Sequence, residues 1–119
     1  MSKANSHRTP IPPCPHEKIV ALYHDLCPTL NRVKVWDGQR EVYSRSRWRE
    51  TFERLHFNTE DEGLEWFRSL FTAVSESEFL TGKVPSRNPG QSPWKADLEW
   101  LLRPQNFRKV IEEKYWSRT

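Results

Sequence analysis

Residues 94–115 read W-K-A-D-L-E-W-L-L-R-P-Q-N-F-R-K-V-I-E-E-K-Y and hold much of the apolar and aromatic material of the second half of the chain. Ser92-Pro93, just ahead of them, has the form of a helix start. A hydroxyl there can cap free amides, and a proline in the first turn loses nothing by lacking an N–H. Trp94, Leu98 and Leu101 then fall at i, i+4 and i+7, and Trp100 widens the apolar stripe. Pro104 disfavours helical geometry at Arg103 and ends that helix. A second helix is predicted from 104 to about 115, with Phe107, Val110, Ile111 and Lys114 at helical spacing. Arg108, Lys109 and Lys114 project from it or flank it. The stretch therefore predicts a hairpin of two short helices that closes a core.

Outward from the hairpin, the chain has 119 residues, enough for one domain with one modest core. Only 35% of residues are apolar, but six tryptophans and six phenylalanines bury a large area each, so the core is expected to be aromatic. The formal charge of +3 permits a nucleic-acid partner without demanding one. Two cysteines do not make a disulfide framework. No apolar run approaches membrane length and no hydrophobic leader opens the chain. A soluble, cytoplasmic protein with no membrane partner is the expectation.

Residues 1–15, with four prolines between Pro10 and Pro15, read as a flexible Pro-rich N-terminal arm, and residues 16–116 as the helical domain. A helix is predicted from about His16 to Cys27, with Ile19, Leu22, Tyr23 and Leu26 on one face and Pro28 as its stop. Residues 31–38 alternate polar positions with Val33 and Val35. They read as a short strand or, for want of a pairing partner, as a loop that packs Trp36 inward. A basic helix comes next, from about Arg40 to Leu55, with Trp48, Phe52 and Leu55 as its buried stripe. Thr59 and Glu62 form a capping box for a helix carried by Leu64, Phe67, Phe71 and Val74. Phe79 and Leu80 anchor the segment ending at Gly82, and residues 82–92 are a polar loop. The fold class that results is all-α, a small single-domain bundle of about five helices with an aromatic-rich core.

The charges are segregated. Residues 32–58 hold seven Lys/Arg against four Asp/Glu, residues 83–119 eight against four, and residues 59–82 one against six. One reading is a solvated surface with helix-end bias. The other is a basic face aimed at phosphates, with the acidic helix turned away. On that reading the candidate nucleic-acid or partner contacts are Arg45, Arg47, Arg49 and Arg54, then Arg103, Arg108 and Lys109. Converting Arg47 and Arg49 to glutamate is expected to abolish binding and leave the helices intact.

No constellation spells out a reaction. Cys14, His16, His24 and Cys27 have the residue types of a zinc site, but the C-x-H-x7-H-x2-C spacing matches no standard finger. Neither a metal nor a cofactor is expected. His24 and Cys27 can meet at i, i+3, yet nothing supplies an orienting third group or an oxyanion hole. Four scattered glycines cannot build a phosphate loop. The expectation is a protein that is not an enzyme.

Residues 96–115, A-D-L-E-W-L-L-R-P-Q-N-F-R-K-V-I-E-E-K-Y, resemble the closing segment of phage and prophage replication proteins, in which an A-D-[FL]-[DE]-W-L-L…N-F-x-K-V-[LI]-E-G-K-Y pattern recurs. The resemblance extends upstream in order through Ile11-Pro12, residues 19–24, Arg32-Val33 with Trp36, residues 45–50 and residues 77–82. Glu113 stands where the pattern has glycine, and Cys14 and Cys27 are outside it. The resemblance implies a C-terminal module of the kind that comes after a winged-helix domain in replisome organisers and lambda O-like initiators, where it recruits a helicase or helicase loader. A methionine opens this chain close to the module, so the DNA-reading domain is expected to be missing. The resemblance thus implies a replication accessory that contacts DNA, a replication helicase or a helicase loader through a basic helical face. The alternative is a protein–protein adaptor or inhibitor of host machinery with no direct nucleic-acid binding.

Overall fold

The computed structural model describes residues 10–112, and these form five helices with no strand among the described residues. The order is α1 (His16–Leu26), α2 (Gln39–Leu55), α3 (Glu60–Glu76), α4 (Leu98–Leu102) and α5 (Pro104–Ile111). The small all-α domain expected from periodicity is what the chain forms. Its core is aromatic. Tyr23 of α1 meets Phe71 of α3 edge-on at 5.9 Å, and Trp48 of α2 stacks on Phe67 of α3 at 5.9 Å. Phe107 of α5 closes the far side at 6.3 Å from Phe67 and 5.8 Å from Trp66.

Gly63 is what lets α2 and α3 approach so closely. A Cβ built there would stand 2.7 Å from Trp48 Cη2, and the Phe52 ring is nearer still. The α3 start is the capping box that the sequence announces. The Thr59 hydroxyl accepts from Glu62 N at 3.2 Å, and the Glu62 carboxylate accepts from Thr59 N at 3.0 Å and Asn58 N at 2.7 Å. Those backbone donors hold the Glu62 carboxyl below its ordinary range.

Several local expectations are corrected. The helix predicted from Ser92 begins only at Leu98, because Asp97 is the cap and its carboxylate accepts from Trp100 N at 2.8 Å. Residues 94–96 instead lie along the turn after α3, with Ala96 N donating to Leu80 O at 2.9 Å and Lys95 Nζ donating to Thr29 O at 2.9 Å. Trp94 is thereby excluded from the helical stripe. Leu55 is exposed at the end of α2, where His56 turns left-handed (φ 58°) and Phe57 folds back to Phe52 at 5.7 Å. Residues 31–38, by contrast, form the expected loop with Trp36 packed inward and half buried.

The N-terminal arm does not stay loose up to residue 15. Ile11 packs on the core, Trp48 Nε1 donates to Pro12 O at 2.8 Å, and Cys14 Sγ lies 3.3 Å from the buried Ser44 hydroxyl. An indole N–H buried under helix α2 needs an acceptor, and the Pro12 carbonyl supplies it. Residues 1–9 of the arm, and residues 113–115 of the predicted last helix with Lys114, lie outside the described residues.

Candidate nucleic-acid interface

The sequence predicts four arginines presented together by α2, and the helix geometry separates them. At about 100° per residue, Arg45 and Arg49 stand roughly 40° apart, while Arg54 is about 140° round from Arg49. The buried positions Ser44, Arg47, Trp48, Thr51 and Phe52 define the inner face. Arg45 and Arg49 are exposed on one flank of it, Arg45 with only a long 4.0 Å pairing to Glu41 and Arg49 with no ion pair among the described residues.

Arg47 is not a surface cation. Its exposure is 6%, and its guanidinium donates to the carbonyl of Leu102 at 3.0 Å. It also sits 6.0 Å from the Phe107 ring centroid and has Nε 3.2 Å from Glu50 Oε1, a spacing close enough for ion pairing but not aligned as a hydrogen bond. Leu102 ends α4, so its carbonyl has no helical partner, and Arg47 supplies the missing donor. The contact role expected for Arg47, and a harmless Arg47→Glu change, are therefore corrected. The side chain is a clamp between α2 and the α4–α5 junction.

Arg103 is also engaged. It reaches Glu99 at 3.2 Å, and Arg40 Nε reaches the same carboxylate at 2.8 Å while its Nη1 donates to Val35 O at 2.7 Å. Hydrogen bonds from Arg40 and then Arg103 hold the Glu99 carboxyl below its ordinary range. Arg54, Arg108 and Lys109 are exposed in the last turns of α2 and α5, where cations complement the helix dipole. Of the seven expected contacts, five are exposed and, among the described residues, form no ion pair closer than the 4.0 Å of Arg45 to Glu41: Arg45, Arg49, Arg54, Arg108 and Lys109.

The cysteine and histidine residues are not gathered to a point. Cys27 Sγ donates to Phe71 O at 3.4 Å, and burial pushes its thiol up to about 11. Burial likewise raises the Cys14 thiol, the reverse of what activates a nucleophile. His24 Nε2 accepts from Val33 N at 2.9 Å, and His16 Nδ1 accepts from Trp36 Nε1 at 3.2 Å. Among the described residues no group of three or more His, Cys, Asp or Glu side chains could hold a metal ion, and no helix is long and apolar enough to cross a membrane.

Two features escaped sequence reasoning. One is an open groove of about 570 Å³ beside the 31–38 loop, lined by Arg32, Lys34, Arg40, Asp37 and Glu99. The other is an exposed aromatic surface at Trp94, whose ring lies 5.1 Å from Phe79 and 4.8 Å from Trp100. The sequence signals only the cations beside the second, through the absence of any carboxylate between Gly82 and Ala96, and not the exposure of the ring. No family model, characterised protein or solved structure matches this chain.

Proposed function

We propose that the protein is a non-enzymatic accessory of phage or prophage DNA replication that acts in the cytoplasm and contacts DNA through exposed cations of α2. The observation that carries the DNA contact is the Arg45–Arg49 pair, one turn apart on the exposed flank of α2. Guanidinium groups at that spacing can meet successive phosphates, and counterion release makes such binding salt-dependent. Arg54, about 140° round α2 from Arg49, and Arg108 and Lys109 of α5 are further exposed cations outside that pair. The replication setting, and a helicase or helicase loader as protein partner, rest on the resemblance of residues 96–115 to phage replication modules.

The test is fluorescence anisotropy with labelled single- and double-stranded DNA at two salt concentrations, comparing the wild type with Arg45→Glu/Arg49→Glu. Binding that weakens as salt rises, with a slope of about 0.7–0.9 per phosphate contacted and lost in the double variant, supports the reading. No binding at low salt sinks it and leaves the protein–protein adaptor, to be pursued by binding assays with purified helicase and loader.

A further inference from the structure

The surface around Trp94 is the part of the molecule that the α2 contact leaves unexplained. Trp94 is 43% exposed although its ring carries a large apolar area, and it is not loosely held. Its ring is braced by Phe79 and Trp100. Its backbone runs beside Gly82, where an added Cβ would come within 3.1 Å of Lys95 Cβ, and the next residues are tied down by the Ala96–Leu80 and Lys95–Thr29 hydrogen bonds. A large aromatic ring is thus presented to solvent from a fixed backbone.

The electrostatic setting is one-sided. Residues 82–96 contain Lys83, Arg87 and Lys95 and no Asp or Glu. Lys83 and Arg87 are exposed and form no ion pair among the described residues, and Lys95 donates to a carbonyl, which leaves its charge uncompensated. Of the nearby carboxylates in sequence, Asp97 caps α4 and Glu99 is held by Arg40 and Arg103, while Glu76 at the end of α3 and Glu78 just beyond it are exposed.

We infer that this surface takes a single strand of nucleic acid, with a base stacked on Trp94 and its flanking phosphates met by Lys95 and by Lys83, which follows the Gly82 packed against Lys95 and the Trp94 carbonyl. Every base has a π-face, so a ring with adjacent cations binds single strands without reading sequence. A duplex keeps its bases stacked on one another and offers this surface phosphates alone. The charge pattern selects this occupant over an apolar protein face, since such a partner would leave the cations to be desolvated without compensation. The inference rests on the nucleic-acid reading above and adds to it a second contact with a different preference.

The test uses the full chain with a labelled oligothymidylate and a duplex hairpin, comparing wild type, Trp94→Ala, Trp94→Phe and Arg45→Glu/Arg49→Glu. Trp94→Ala is expected to weaken single-strand binding about tenfold, the loss of one base stack, and to leave duplex binding unchanged. Trp94→Phe should keep most of the affinity, which covers the case in which the alanine variant loosens the fold. The arginine pair should weaken both probes alike. Single-strand binding unaffected in both Trp94 variants, while the arginine pair still matters, overturns this inference and spares the α2 reading. No binding of either probe by the wild type overturns both. A dimer in light scattering that Trp94→Ala dissociates also overturns it, because a second copy would then be the occupant.

Discussion

The α2–α3 interface and the connection from 77 to 97 use the same kinds of side chain and leave them in opposite conditions. In the first, Trp48, Phe52 and Phe67 are sealed between two helices of 17 residues each, and Arg47, buried beside Trp48 on α2, is turned onto the carbonyl of Leu102 at the α4–α5 junction. In the second, Phe79 and Trp94 stay on the surface and the cations around them remain in water. The difference comes from regular structure. Two long helices with a glycine at their crossing can bring rings face to face and exclude water on all sides, whereas a connection rich in proline and glycine offers only one side to pack against. Buried rings stabilise the fold, and half-buried rings held on a fixed backbone are available to a partner.

The largest effect should come from the pair of tryptophans that embodies this contrast. Trp48→Ala is expected to cost about 3–5 kcal/mol, a large part of a small domain's stability, while Trp94→Ala should cost about 1 kcal/mol. Urea unfolding followed by circular dichroism measures both, and equal losses would break the distinction between sealed and open regions. The second contrast is between arginines. Arg47→Met keeps the aliphatic packing but leaves the Leu102 carbonyl buried without its donor, at a cost of about 1–3 kcal/mol. Arg49→Met on the exposed flank should stay within about 0.5 kcal/mol. An Arg47 variant as stable as the wild type would show that this side chain clamps nothing.

The smallest effect concerns how the 31–38 loop is fastened to α1. His16 and His24 both accept hydrogen bonds from N–H donors, which an imidazolium cannot do. Desolvation lowers both pKa values from 6.5, with Glu41 opposing and Arg45 reinforcing the shift at His16, and Arg32 reinforcing it at His24. Glu17 and Lys34 line the same groove. A folded-state pKa below the unfolded one means that the unfolded chain binds more protons. Stability is therefore full above the ordinary histidine value and falls as pH drops through about 6.5 towards the folded value. Denaturation midpoints compared at pH 7.5 and 5.5 should show this loss, and a His16→Gln/His24→Gln variant should flatten it. A wild-type midpoint identical at both pH values would show that the loop is held by other means.

Much of the fold was legible in the residues themselves. The Thr59–Glu62 capping box, the helix ended by Pro28, the break at Pro104 and the apolar spacing of α1 and α3 all arise from interactions within a few residues, which a sequence records directly. The burial of Trp48 and Phe52 came from the same periodicity. What could not be read locally was decided by neighbours far along the chain. Arg47 looks like every other arginine of α2 until the carbonyl of Leu102 and the ring of Phe107 arrive beside it. The helix expected at Ser92 is delayed to Leu98 because Leu80 and Thr29 claim hydrogen-bonding groups of residues 95 and 96, and Asp97 then caps. Pro12 is drawn out of a polar arm by the indole of Trp48. By itself the sequence determined the class of fold, the helix signals and the overall charge, since these depend on residue type and short spacing. Only the tertiary structure decided which cations and rings remain in water, because exposure is a property of what packs on a side chain and not of the side chain alone.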